Sequence, residues 1–278
     1  MIELYDETCL ECSKLITKKY STSFSMGIRA FDKRFHYPIY AIYGFVRYAD
    51  EIVDTFHNHN KAKLIADFRQ QTQEAIDQKI SLNPVLHAFQ LVVNHYQIDH
   101  HLIDAFLRSM EMDLDKVTYD RQAYEDYIYG SAEVIGLMCL KVFCEGQAKL
   151  YEPLVPYARS LGSAFQKINF LRDIRSDYEE RGRTYFPEVD FTAFAEADKK
   201  EIEADIQLDF DEGLKGIRLL PEACRQGVYV AYVYYLELFE KIKQTPALTV
   251  AEKRIRVSDG HKIWLMAQAL VRNKVGAI

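Results

Sequence analysis

The chain has 278 residues, 49% of them hydrophobic, enough apolar material to bury a substantial core and to exclude disordered and fibrous classes. Only 12 Gly and 7 Pro punctuate it, too few for the closely spaced turns that an all-β architecture of this length requires. Lys and Arg number 35 against 41 Asp and Glu, a net charge of -6 that argues against nucleic acid held by overall charge and leaves only a local basic patch to serve such a partner.

From the N-terminus, MIELYDETCLECSKLITKKY places acids and lysines where a secretory leader would be apolar, so no leader is expected. Cys9 and Cys12 make a lone CxxC with no second cysteine pair or nearby histidine pair to complete a zinc site; the plainer reading is two small residues one helical turn apart. The odd and sparse set of 5 cysteines suits a reducing, cytoplasmic compartment. Apolar residues recur at three- and four-residue intervals almost throughout, which predicts helices separated by short breaks at 31–38, 57–60, 81–84, 118–120, 146–153, 182–191 and 245–249. Asn83 followed by Pro84 reads as a helix start, and Gly146 and Gly182 suit helix ends. The longest apolar run, Val228 to Leu236, stops at Glu237 and falls short of the roughly 20 residues a membrane span needs. With no internal repeat, low-complexity tract or linker, the expectation is a single all-α domain over residues 1–278.

Two stretches carry chemistry. In AIYGFVRYADEIVDTF (41–56), Tyr43, Arg47, Asp50 and Asp54 fall within roughly 60° of arc on one helix face. On a helix that also holds Ile42, Phe45, Val46, Ile52 and Val53, this stripe is either a surface ladder of ion pairs from Arg47 or a site for a cation. In QKINFLRDIRSDYEERGRTYFP (166–187), Gln166, Asn169, Asp173 and Asp177 share a face within roughly 80°. Two helices thus each present Asp-x-x-x-Asp. Facing one another across a cavity, they would form an oxygen-rich cage suited to Mg²⁺, with Mn²⁺ as the alternative ion and too few His or Cys to favour zinc or iron. Arg47, Arg172, Arg175, Arg181 and Arg183 are interleaved with the acids and would take phosphate charge. No GxGxxG or P-loop occurs, so a diphosphate between metal and arginines fits better than a nucleotide on a glycine loop.

YGFVRYADEIVD (43–54), YIYGSAEVIGLM (127–138) and QKINFLRDIRSDYEERGRTYFP (166–187) resemble three signature segments of the squalene/phytoene synthase family, and STSF (21–24) adds a fourth. The likeness extends over roughly residues 15–270 and is most specific in the second acid motif with its trailing RGRTYFP. It implies an isoprenoid-synthase fold, a single helical bundle around a central cavity, and the head-to-head joining of two allylic prenyl diphosphates. By the same resemblance, Asp50, Asp54, Asp173 and Asp177 hold Mg²⁺ against the diphosphates, and Arg47, Gln166 and Asn169 line that site. Tyr43, Tyr129 and Phe24 match positions near the reacting carbons, where aromatic faces would stabilise cations, and Arg172, Arg183 and Tyr185 match positions close to the departing diphosphate. The expected product is phytoene, formed from two geranylgeranyl diphosphates through a cyclopropylcarbinyl diphosphate. The alternatives are a C30 squalene-type product from farnesyl diphosphate, a chain-elongating prenyltransferase and a non-catalytic assembly factor. NADPH use is not expected, whereas peripheral contact with a membrane is, because substrates and product are lipids.

Three positions depart from the family pattern: Glu51 for an Asp, Ile168 for a Thr, and Glu133 for a small residue beside the cavity, which either enters the pocket or pairs with solvent or Lys141. MEMDLD (110–115) is similar to the family's MDL stretch and otherwise reads as a surface acid cluster around Asp113 and Asp115. His57 and His59 suit a helix end better than a metal. Tyr229, Tyr232, Tyr235 and Phe239 form a stripe that is either core or cavity wall.

Overall fold

Fourteen α-helices and no strand occur among the residues that the computed structural model describes, 1–115, 118–187, 189 and 193–274. The side chains of Asp115 and Arg181 lie outside the described residues. In chain order the helices are α1 (Ile2–Tyr20), α2 (Thr22–Ile28), α3 (His36–Asp54), α4 (Lys61–Gln78), α5 (Pro84–Tyr96), α6 (His100–Asp115), α7 (Arg121–Ile128), α8 (Val134–Phe143), α9 (Ala148–Tyr151), α10 (Val155–Arg181), α11 (Glu196–Leu219), α12 (Glu222–Lys243), α13 (Ala247–Glu252) and α14 (Asp259–Lys274). A π-helical turn, Tyr129–Glu133, joins α7 to α8.

Local chemistry sets several of these boundaries. Asn83 accepts hydrogen bonds from the N–H groups of Val85 (3.0 Å) and Leu86 (3.4 Å), and Pro84 opens α5 at a position that has no use for an N–H. Ser21 divides α1 from α2 and accepts from the Phe24 N–H at 3.2 Å. Gly182 ends α10 at φ 66°, where glycine carries no Cβ penalty, and the Arg183 N–H then donates back to the Asp177 carbonyl at 2.8 Å. The expected break at 146–153 is largely filled. Short α9 and a 3₁₀ turn, Glu152–Leu154, lead directly into α10, because Pro153 and Pro156 both occupy first turns. Breaks at 97–99, 220–221 and 253–258 interrupt helices that the apolar pattern runs together; Gln97 stops α5 at φ 54°, a left-handed cap that its residue type does not announce.

Two apolar clusters build the body. In the first, Phe45 of α3 stacks on Phe89 of α5 (ring centroids 3.9 Å), with Phe68 of α4 and Phe106 of α6 at 5.5 and 5.4 Å. In the second, Phe210 of α11 stacks on Phe239 of α12 (5.6 Å), and Phe170 of α10 on Tyr185 (4.1 Å). A cavity of about 790 Å³ draws its lining from both, with Ile39, Val53 and Leu140 from the first and Phe170, Ile217 and Val230 from the second. The tyrosine stripe divides accordingly: Tyr229, Tyr232 and Phe239 are core, whereas Tyr235 lines the cavity together with its neighbour Tyr234.

Helix α11 reaches α10 closely at Gly216, where an added Cβ would overlap Tyr157 Cβ; both residues line the cavity. Gly216→Ala should therefore cost about 1–3 kcal/mol through overpacking. Urea denaturation checks this, and an unchanged midpoint would refute the close approach.

Candidate active site

Helix α3 presents Tyr43, Arg47, Asp50 and Asp54 to the cavity, and α10 presents Gln166, Asn169, Arg172, Asp173 and Asp177. Phe24 of α2, Arg183 and Tyr185 complete the predicted set that lines it. The i, i+4 spacing of each acid pair puts both carboxylates on one helix face, and burial of Phe45 and Ile52 on the other side of α3 fixes which face that is.

The carboxylates are interlaced with arginines. Asp173 is held by Arg172 (Nη2–Oδ2 2.5 Å) and by Arg254 from the 253–258 segment (Nε–Oδ1 2.7 Å). Arg183 reaches Asp54 at 3.3 Å, while Arg47 pairs with Glu51 and lies 3.9 Å from Asp50. Glu51 thus orients the arginine of the first motif. The Arg47 guanidinium also covers the Tyr20 ring (4.4 Å), and its Nε is buried with no hydrogen-bond partner among the described residues, a donor left for a ligand. Phe24 stacks on Tyr43 (4.9 Å). A polar row crosses the wall from Gln166, which donates to Ser131 Oγ (3.2 Å), through Asn169 to the Tyr235 hydroxyl (3.4 Å).

Among the described residues no three His, Cys, Asp or Glu side chains converge as a ready metal site. The donor chemistry nevertheless suits a hard cation. Four carboxylates line one cavity as two separate pairs, and a small oxygen-seeking ion that keeps few protein ligands would be completed by phosphate oxygens between them.

Tyr129 is corrected by the structure. It is absent from the cavity lining; its ring lies under the Arg159 guanidinium (5.2 Å), which also binds Glu133 (2.5 Å). Residues two apart on a helix face opposite ways, so Tyr127 and Ser131 line the cavity while Tyr129 and Glu133 face away. Glu133 therefore neither enters the pocket nor pairs with Lys141, which binds Asp99 at 2.9 Å. Arg175 also points elsewhere, to Glu179 and the Glu252 carbonyl. His57 is exposed and contacts Lys61 (3.1 Å).

Asp113 is no surface acid. It is 7% exposed at the end of α6 and accepts from Tyr127 (2.7 Å), Tyr119 (3.1 Å) and Tyr185 (3.4 Å). Arg183 donates to its carbonyl at 2.8 Å and stands 3.6 Å from its carboxylate. Burial pushes the Asp113 carboxyl up to about 6, against the opposing pull of Arg183 and the Tyr127 hydroxyl. Tyr127, Tyr234, Arg254 and Lys262 line the site without having been singled out for it by their spacing, while Tyr235 takes the cavity-wall reading of its stripe. The i, i+4 relation to Ser131 is the signal that separates Tyr127 from Tyr129, whereas no local signal marks Arg254.

The squalene/phytoene synthase family model matches residues 17–261. Phytoene synthase of Rhodobacter capsulatus is 25% identical, covering 95% of this chain and 81% of that protein, and 15-cis-phytoene synthase of Synechocystis sp. is 26% identical, covering 95% and 87%. The 4,4'-diapophytoene synthase of Staphylococcus haemolyticus is 26% identical over 68% of this chain and 66% of its own length. A dehydrosqualene synthase solved in complex with ligand superposes with a TM-score of 0.83 at 24% identity, covering 97% of this chain and 98% of that one. Squalene synthase HpnC from Alicyclobacillus acidocaldarius superposes at 0.76 with 18% identity, covering 87% and 95%. The chain belongs to the squalene/phytoene synthase family and is a prenyltransferase with the all-α fold of those enzymes. No helix among the described residues is long and apolar enough to cross a membrane.

Proposed function

We propose that the chain joins two molecules of geranylgeranyl diphosphate head to head, through a cyclopropylcarbinyl diphosphate, to give phytoene. The observation that carries this reading is the union of an acid- and arginine-lined mouth with an apolar cavity in one continuous lining. Asp50, Asp54, Asp173 and Asp177 would hold Mg²⁺. Bound there, the metal supplies Lewis-acid neutralisation of the leaving diphosphate. Arg47, Arg172 and Arg183 bind diphosphate oxygens and carry their charge as the allylic C–O bond breaks. The stacked faces of Phe24 and Tyr43 offer negative π-density to the carbocation, which the double bond of the second substrate attacks. Apolar walls exclude water that would quench it. Binding at a lipid surface delivers both substrates, and no reductant is required because the last cation loses a proton to complete a central conjugated triene unit.

The farnesyl alternative draws support from the likeness to a diapophytoene synthase and a dehydrosqualene synthase. Incubating the purified chain and Mg²⁺ with each diphosphate alone, then extracting the hydrocarbon, separates the two. A C40 hydrocarbon is expected, and a C30 hydrocarbon without C40 would replace this choice.

A further inference from the structure

Among the described residues the exposed aromatic side chains are Tyr20, Phe24, Tyr48, Phe56, Tyr178 and Trp264. All of them border the acid- and arginine-lined mouth. Tyr20 and Phe24 line the cavity themselves, Tyr48 follows Arg47, Phe56 comes just after Asp54, Tyr178 follows Asp177, and Trp264 precedes Leu265. Exposed aliphatic residues are placed differently: Leu82, Leu150 and Leu208 stand in the α4–α5 loop, α9 and α11, which expose no aromatic ring.

Cations share this face. Lys18 and Lys19 are exposed in the last turn of α1, beside Tyr20. In the segment 253–258, buried Ile255 and Val257 alternate with exposed Arg254 and Arg256, so Arg256 falls on the side from which Arg254 reaches Asp173. Lys262 lines the cavity on the same helix as Trp264. Of the exposed acids nearby, Glu179 is bonded to Arg175 at 2.7 Å and Glu252 adjoins Lys253.

We propose that this aromatic and basic rim is the surface by which the chain rests on a bilayer carrying anionic phospholipids, with the mouth turned to the membrane. Tyr and Trp suit that interface because their rings enter the apolar side while their polar tips stay among the headgroups, and lysines and arginines are drawn to the negative leaflet surface. The need for such a seat rests on the function proposed above. A product that has lost both diphosphates is strongly opposed from leaving through water, whereas a mouth seated on the bilayer lets prenyl chains pass between two apolar phases.

The test is sedimentation of the full chain, without substrate, on vesicles of phosphatidylcholine alone and of phosphatidylcholine mixed with phosphatidylglycerol. Binding is expected on the mixed vesicles and should fall with added salt. Trp264 is the one tryptophan of the chain, so its emission reports on this surface alone, and it should shift to the blue and resist acrylamide quenching when vesicles bind. No sedimentation, or sedimentation that leaves Trp264 emission and quenching unchanged, would overturn the assignment; equal binding to both vesicles would overturn the charge match behind it. Lys18→Glu with Lys19→Glu, and separately Phe56→Ser with Trp264→Ser, should each weaken binding at least about 10-fold with unaltered thermal melts, while Leu82→Ser with Leu208→Ser binds as wild type. Rim variants that bind as wild type would place the contact elsewhere and overturn it as well. A chain that docks through the rim but forms no hydrocarbon would overturn the proposed function while still supporting the surface, so the two failures are distinguishable.

Discussion

Asp173→Asn is expected to lower turnover of the prenyl diphosphate by at least about 10³-fold while leaving the fold intact. Asp173 is tethered twice, by Arg172 at 2.5 Å and by Arg254 at 2.7 Å, with its side chain 17% exposed. The amide preserves shape and removes charge, so both arginines lose their anchor and the opposing pair, Asp50 and Asp54, faces a site with one negative charge fewer. Arg254 is half exposed, so its pair is screened by solvent, while Asn keeps a hydrogen-bond acceptor for the more buried Arg172; the stability change should stay within about 3 kcal/mol. Steady-state assay beside a thermal melt checks both halves. Wild-type turnover in Asp173→Asn, or in the matching Asp50→Asn, would sink the account of the acid pairs.

Phe45→Ala should be the most damaging change to stability, costing about 3–5 kcal/mol. Its ring is fully buried and touches three other phenylalanines from three different helices, so truncation opens a void that no single helix can close. That loss is a large share of the roughly 5–15 kcal/mol by which domains are stable. Phe45 also backs the α3 face that carries Arg47 and Asp50, so core and site fail together. Urea unfolding measures the loss; a midpoint within error of wild type would show that the aromatic knot does not support α3.

Both acid pairs were legible in the sequence because a helix repeats its face every three to four residues, and the same arithmetic brought Tyr43, Arg47, Gln166 and Asn169 to the cavity. Boundaries were legible where a specific residue type has a specific use, as at Asn83, Pro84 and Gly182. Tyr129 was carried over from the resemblance and does not line the cavity, whereas Tyr127 does. Two tyrosines two positions apart face opposite ways, and periodicity alone does not say which of the two faces is covered by Arg159. Asp113 stayed open between a surface acid and a match to the family's MDL stretch because the groups that make its burial tolerable, Tyr119, Tyr127, Arg183 and Tyr185, come from three later segments. Arg254 is further still from the residue it serves, and only the path of the 253–258 segment brings it to Asp173.

Counting released diphosphate against hydrocarbon tests the central claim most directly. With geranylgeranyl diphosphate and Mg²⁺, phosphorus NMR of the aqueous phase and chromatography of the extract should give two inorganic diphosphates for each C40 hydrocarbon formed. One diphosphate released per condensation, with the other retained on a lengthened chain, would contradict head-to-head joining, and no release at all would contradict the reading of this cavity as a diphosphate-ionising site.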